Sequence, residues 1–125
     1  MIRFDHMALP VSNVQKSRDW YVRHLGFKVE FERGGIIALQ DSAGFTIFLQ
    51  KAAKRLVGEK VILTVQVKSV DRKHQELVSA GLKFVNVPRR LFWGYGAEIL
   101  DPDGYQINLW DKVTMGKAMK QKSPG

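Results

Sequence analysis

Two stretches of the sequence, ALQDSAGFTIFLQK at residues 38–51 and EILDPDGYQINLWD at residues 98–111, align without a gap. The identical pairs are Asp41 with Asp101, Gly44 with Gly104, Ile47 with Ile107 and Leu49 with Leu109. An earlier segment repeats as well, since VSNV at residues 11–14 matches VKSV at residues 67–70. A repeat of about 55 residues is too long for a solenoid unit, so it predicts two copies of one supersecondary unit.

Each copy has the pattern of a strand, a helix and three further strands. In the first copy, SNVQ at residues 12–15 has the form of a capping box with Ser12 as the cap. Gly26 ends the helix that follows, and Gly81 ends its equivalent in the second copy. The predicted strands are residues 3–10, 27–33, 36–40 and 45–51 in the first copy and 61–67, 82–87, 95–100 and 105–111 in the second, with the second helix over 70–80 and a linker over 52–60.

Alternation along the strands separates two faces of each predicted sheet. The helix-facing positions of the closing strands are Phe45, Ile47 and Leu49 in the first copy and Tyr105, Ile107 and Leu109 in the second, with Val78 turned inward from the second helix. The opposite faces are mixed polar and aromatic, which predicts a concave ligand cleft, with an ordinary solvent-facing sheet as the alternative. The candidate ligand-binding residues are Phe48, Gln50, Ile62, Thr64, Gln66, Trp93, Tyr95, Gln106, Asn108 and Trp110.

Composition restricts the class of protein. A chain of 125 residues fits one globular domain, and the absence of cysteine excludes disulfides and thiolate ligands. No apolar run reaches the length of a membrane span, so a cytoplasmic protein without a membrane partner is expected. The formal charge is +8, but four lysines lie in residues 112–125, which are predicted to form a flexible tail. The candidate for a basic stripe interleaved with aromatic residues is RRLFWGY at residues 89–95, and this single stretch does not predict a nucleic-acid partner.

Three segments in order resemble the vicinal oxygen chelate superfamily, which includes glyoxalase I, bleomycin-resistance proteins and extradiol dioxygenases. They are DHMALPV at residues 5–11, the helix end from Tyr21 to LGF at residues 25–27, and DPDGYQI at residues 101–107. The resemblance implies an α+β fold in which two tandem βαβββ modules form half-barrel mixed sheets with a concave cleft. The single domain would span residues 1–112, with modules at 1–54 and 58–112 and a basic tail at 113–125.

The resemblance also implies four metal-ligand positions in this chain. His6 matches the first, whereas the other three fall on Phe48, Ile62 and Asn108. Phenylalanine and isoleucine have no lone-pair donor, and without a carboxylate a divalent cation is poorly neutralised. No metal cofactor is therefore expected, with a divergent divalent metal site as the alternative.

The first functional hypothesis is metal-free binding or sequestration of a small aromatic or anionic ligand, similar to the bleomycin-resistance branch. Arg89 and Arg90 could contact a carboxylate or phosphate of that ligand. The second hypothesis is an enzyme, either a lyase or isomerase or a dioxygenase, with a divergent metal site or acid–base chemistry by His6 with Glu98, whose face the pattern leaves open. A regulatory module for a metabolite is the third. Exposed sheet edges favour a homodimer.

Overall fold

The computed structural model describes residues 2–52 and 61–116, and the chain divides into two compact units, Met1–Val57 and Gly58–Gly125. Each unit contains one four-stranded mixed sheet, which is open rather than closed into a barrel, and a long helix. A short helix over residues 112–116 brings the helices in the described residues to three. The predicted α+β fold and the repeated β-α-β-β-β order are confirmed.

The two units have the same element order and the same strand order. In both sheets the first and last strands of the unit run parallel, and the other neighbours are antiparallel. The first unit, with strand order β1-β4-β3-β2, consists of β1 (Met7–Val11), α1 (Val14–Leu25), β2 (Lys28–Arg33), β3 (Ile36–Gln40) and β4 (Thr46–Lys51). The second unit, with strand order β5-β8-β7-β6, consists of β5 (Ile62–Gln66), α2 (Val70–Ser79), β6 (Phe84–Leu91), β7 (Gly94–Leu100) and β8 (Gln106–Trp110).

The repeated aspartate and glycine form the turn before the last strand of each unit. The Asp41 carboxylate accepts hydrogen bonds from the amides two and four residues ahead, at 2.9 and 2.8 Å, and Asp101 accepts the same two at 2.9 Å each. Gly44 and Gly104 adopt φ values of +94° and +87°, which side chains disfavour. These residues recur because the turn needs an acceptor at its start and a left-handed residue at its end.

The core of each unit lies between its sheet and its long helix. The repeated aliphatic residues of β4 and β8 are completely or almost completely buried, as are Tyr21 on α1 and Leu77 on α2. The predicted helix-facing positions of the closing strands are therefore right for Ile47, Leu49, Ile107 and Leu109. Full burial of such side chains contributes about 1.5–3 kcal/mol each to folding.

Two residues that the pattern turned inward are instead 48% exposed. Phe45 precedes β4 and is half-exposed, whereas Tyr105, at the equivalent position before β8, is buried as predicted. Val78 follows Leu77, which already occupies the buried stripe of α2, and the next residue along a helix is rotated by about 100°. The N-cap of α1 is Asn13, one residue after the predicted Ser12. The Asn13 side chain accepts a hydrogen bond from the Lys16 amide at 2.9 Å.

Element boundaries differ from the prediction in β1, which begins at Met7 rather than at residue 3, and at two further places. Strand β6 continues through Pro88 to Leu91, which an edge strand permits because the missing N–H can face away from the sheet. The short helix over 112–116 occupies the start of the predicted tail, whereas residues 117–125 and most of the predicted linker lie outside the described residues. No helix in the described parts of the chain is long and apolar enough to cross a membrane.

Candidate functional site

The open face of the first sheet, opposite α1, carries an aromatic row. Ala8, Phe48, Ala38 and Phe31 are successive partners across β1, β4, β3 and β2. The rings of Phe31 and Phe48 meet edge to face, with centroids 5.5 Å apart and planes at 82°. Alanine on either side of Phe48 leaves space for this contact.

His6 lies immediately before β1, and its imidazole stacks on Phe48. The ring centroids are 3.7 Å apart and the planes differ by 12°. Nδ1 of His6 is 2.8 Å from Oδ2 of Asp5, and since a carboxylate oxygen accepts, Nδ1 is the donor of this hydrogen bond. The structure therefore brings together two of the predicted site residues, His6 and Phe48.

A pocket of about 360 Å³ opens on this face of the first unit. Its lining combines three phenylalanine rings with two carboxylates and one guanidinium. Phe4 is 98% exposed, so the pocket is accessible from solvent. The lining residues are Arg3, Phe4, Asp5, Glu30, Phe31, Gln40, Gly44, Thr46 and Phe48.

A β-bulge places both Glu30 and Phe31 in this pocket. The register of β2 against β3 shifts between Val29 and Phe31, which interrupts the alternation that would put neighbours on opposite faces. Oε2 of Glu30 accepts a long hydrogen bond of 3.4 Å from the Thr46 hydroxyl. Strict alternation was the only available signal for β2, so sequence reasoning missed both Glu30 and Phe31.

The open face of the second sheet has the same register but polar chemistry. Thr64, Asn108, Glu98 and Asn86 are successive partners across β5, β8, β7 and β6. Nε2 of Gln106 donates to Oε2 of Glu98 at 2.5 Å and to Oδ1 of Asn108 at 2.8 Å. The orientation of Glu98, which the sequence left open, is thereby assigned to the face that carries Asn108.

Four further predicted residues lie on the open faces, at the sheet positions that flank these rows. Gln50 pairs with Pro10 in the first sheet, and Gln66 pairs with Trp110 in the second. Ile62 pairs with Gln106 and is 56% exposed. These residues extend each face along the strands.

Tyr95 does not join this set, which corrects the prediction. Its hydroxyl donates to Asp71 in the first turn of α2 at 2.6 Å, so Tyr95 is engaged on the helix side of the second sheet. This hydrogen bond, together with burial, raises the pKa of Tyr95 to about 12. The glycines on either side of Tyr95 hid its phase in the sequence.

Trp93 is packed into the hairpin between β6 and β7 rather than standing free for stacking. Its indole contacts Gly96 so closely that a side chain there would collide with it. Nε1 of Trp93 and Oδ1 of Asn86 are the two buried side-chain polar atoms without a hydrogen-bond partner in the described residues. Trp93 is therefore a structural residue of this hairpin.

The donor set does not fit the metal site that the resemblance implies. Two of its four positions, Phe48 and Ile62, have no donor atom, and the Asn108 oxygen already accepts from Gln106. In residues 2–52 and 61–116, no three histidine or acidic side chains are grouped so that they could hold a metal ion. The open faces instead offer aromatic rings in the first unit and an amide–carboxylate network in the second.

Comparison with known proteins agrees with this architecture. The model of the Glyoxalase/Bleomycin resistance protein/Dioxygenase superfamily matches residues 3–109. No curated protein sequence matches the chain.

Several solved structures share the fold. A superfamily member from Sphaerobacter thermophilus is 22% identical with a TM-score of 0.75, covering 89% of this chain and 98% of that one. An antibiotic binding protein from a Streptomyces species is 23% identical with a TM-score of 0.75, covering 89% and 96%. A possible glyoxalase from Bacillus cereus is 21% identical with a TM-score of 0.74, covering 87% and 98%. At these identities the likeness concerns the fold.

Proposed function

The chain belongs to the Glyoxalase/Bleomycin resistance protein/Dioxygenase superfamily, and from this premise we propose that it binds a small aromatic ligand on the open face of its first unit, without a resident metal ion. The observation that carries the proposal is the stack of His6 on Phe48. The resemblance implies a metal ligand at both positions, and a ring–ring contact is present there instead.

The pocket beside this stack has the properties of a binding site for a flat molecule. Its volume of about 360 Å³ lies within the usual range for small-molecule sites. Phe31 and Phe48 are held at right angles, so a flat ligand can meet the face of one ring and the edge of the other, with one face of Phe48 already covered by His6. Gln40 and Thr46 provide polar atoms that can orient it.

One of the similar structures is that of a binding protein. The Streptomyces protein with a TM-score of 0.75 is an antibiotic binding protein. Such a role needs shape, stacking and a few hydrogen bonds, which the first unit supplies, and it needs no electrophile.

Binding of a matched series of flat aromatic probes, followed by isothermal titration calorimetry, tests the proposal. Phe48→Ala is expected to weaken binding by about tenfold or more, because it removes the stacking wall and its buried area. Phe45→Ala is the matched control, since Phe45 is an exposed ring of the same unit outside the pocket. Equal losses in both variants would show that the pocket is misplaced.

Metal analysis tests the other half of the proposal. The purified protein is expected to carry no stoichiometric Zn, Ni, Fe, Mn or Co and to bind none tightly on titration. Tight, stoichiometric binding that His6→Ala abolishes would refute binding without a resident metal. In that case the metal ligands would have to include residues outside the four positions that the resemblance implies.

The hydrogen bond from His6 to Asp5 favours a second candidate, proton transfer by His6. A carboxylate at Nδ1 orients the imidazole, as general acid–base catalysis requires. Mass spectrometry of the bound ligand after incubation distinguishes the two functions. Return of the unchanged ligand supports binding, whereas a product that His6→Ala no longer forms supports catalysis.

The protein is further proposed to act as a homodimer. Each open sheet ends in edge strands, and β6 exposes Val85 and Val87 at 60% and 63%. Unpaired edges with exposed apolar side chains favour association with a second chain. Sedimentation velocity measures the mass directly, and a monomer at all tested concentrations would contradict this assembly.

A further inference from the structure

We propose that the ligand of the first-unit pocket is an aromatic organic cation and that Glu30 is the residue that recognises its charge. This inference rests on the proposed binding function and narrows it. It replaces the expectation of an aromatic or anionic ligand with one defined chemical class.

The charges that line the pocket favour a cation. Two carboxylates, Asp5 and Glu30, face one guanidinium, Arg3. Asp5 is engaged by His6, whereas Glu30 has no ion-pair partner among the described residues and accepts only the long bond from Thr46. The neighbouring Glu32 differs, because Arg18 neutralises it at 3.1 Å. Glu30 is therefore the carboxylate of this pocket that forms no ion pair within the described residues, although Arg3 lines the same pocket.

The aromatic lining acts in the same direction. Phe4, Phe31 and Phe48 line the pocket beside Glu30. The face of an aromatic ring carries partial negative charge, which attracts a cation and repels an anion. Aromatic rings and a carboxylate are the groups with which proteins recognise organic ammonium ions.

The charge of the whole chain opposes this preference but acts over a longer distance. The formal charge of +8 attracts anions towards the protein in general. Physiological salt screens such attraction beyond about 8 Å. Direct contact with Glu30 is therefore expected to determine which ligands have the higher affinity for the pocket.

Three probes with one ring system separate charge from shape: naphthylmethylamine as the cation, naphthylmethanol as the neutral analogue and naphthoate as the anion. Calorimetry with the full chain at neutral pH is expected to rank their affinities in that order. Glu30→Gln should weaken binding of the cation by about fivefold, the size of an exposed charge interaction, and leave the alcohol unchanged. Glu32→Gln is the matched control, with the same change of charge on the same strand.

Salt provides a second readout. Binding of the amine should weaken with added salt in the unaltered protein and lose most of that dependence in Glu30→Gln. Equal affinity for amine and alcohol, preference for naphthoate, or equal effects of Glu30→Gln and Glu32→Gln would overturn the assignment to Glu30 while leaving aromatic binding intact. Failure of all three probes to bind would overturn both the inference and the binding function on which it rests.

Discussion

Replacement of Asp111 is expected to destabilise the second unit more than any single surface change. Asp111 ends the repeated stretch, where the first copy has Lys51, and it is 2% exposed. Oδ2 accepts from the Val70 amide at the start of α2 at 2.8 Å. Oδ1 accepts from the amide and hydroxyl of Thr114 at 2.7 and 2.6 Å, so one side chain joins β8, α2 and the short helix over 112–116.

The size of the effect follows from these three hydrogen bonds. Asp111→Asn keeps the shape of the side chain and one acceptor oxygen. Its NH2 group, however, cannot accept a hydrogen bond and would face one of the donors. Losing one hydrogen bond to a buried charged group costs about 2 kcal/mol. Asp111→Ala removes all three acceptor contacts, and because such losses are not additive, about 3–4 kcal/mol is expected.

The pH dependence of this stabilisation has a defined sign. Burial alone would raise the pKa of Asp111, but hydrogen bonds, chiefly those from Thr114 and the Val70 amide, outweigh it and lower the pKa. A carboxyl whose pKa is lower in the folded state stabilises the fold above its unfolded pKa of about 3.9 and loses that contribution as pH falls below it. The difference between the unaltered protein and Asp111→Asn should therefore shrink below about pH 4.

Urea unfolding followed by circular dichroism measures these differences. A loss of 2 kcal/mol corresponds to a shift of the midpoint by about 1 M. Glu76→Gln is the matched control, because Glu76 makes an exposed ion pair with Lys73 and should cost no more than about 0.5 kcal/mol. If Asp111→Asn and Glu76→Gln had the same midpoint, the network around Asp111 would not contribute as argued.

Two further changes test the second unit. Tyr95→Phe should reduce the loss of stability that the protein shows between about pH 10 and 12. A phenol whose pKa is raised to about 12 stabilises the fold below its unfolded pKa of about 10 and loses that contribution as pH rises through the folded value. If the variant and the unaltered protein gave matching unfolding curves across this range, the hydrogen bond to Asp71 would be wrongly assigned. Gly104→Ala should lower the free energy of unfolding by about 1–2 kcal/mol, measured by thermal unfolding, because the φ of Gly104 is +87°. The control Gly116→Ala, in a short helix with open space around it, should be neutral or stabilising. Equal effects of the two changes would show that left-handed strain is not responsible.

The sequence predicted most of the scaffold because the scaffold depends on local rules. Ile107 and Leu109 alternate with polar neighbours, which identifies the buried face of β8. Asp101 and Gly104 are the residues that the turn requires, and Asp41 and Gly44 form the same turn in the first unit. Each of these signals needs only the spacing of residues along the chain.

The site was predicted less completely, because bulges and glycines break that spacing. The bulge after Val29 brings Glu30 and Phe31 to one pocket, which no alternating pattern can indicate. Gly94 and Gly96 remove the side chains that would have fixed the phase of β7, so Tyr95 was assigned to the open face and Glu98 was left unassigned. His6 was found through the resemblance, although it precedes β1 rather than lying within it.

The two units have the same register in their sheets but different side chains on their open faces. The aromatic row of the first unit has a polar counterpart in the second, where Asn108 replaces Phe48 and Glu98 replaces Ala38 at equivalent pairing positions. Backbone hydrogen bonds define the ladder whatever the side chains on the open face, so substitutions there cost little folding free energy. Because the rows differ in chemistry, a ligand that stacks in the first unit finds no equivalent stacking wall in the row of the second. The two open faces should therefore be tested separately, Phe48→Ala for stacking in the first and Glu98→Gln for hydrogen bonding in the second.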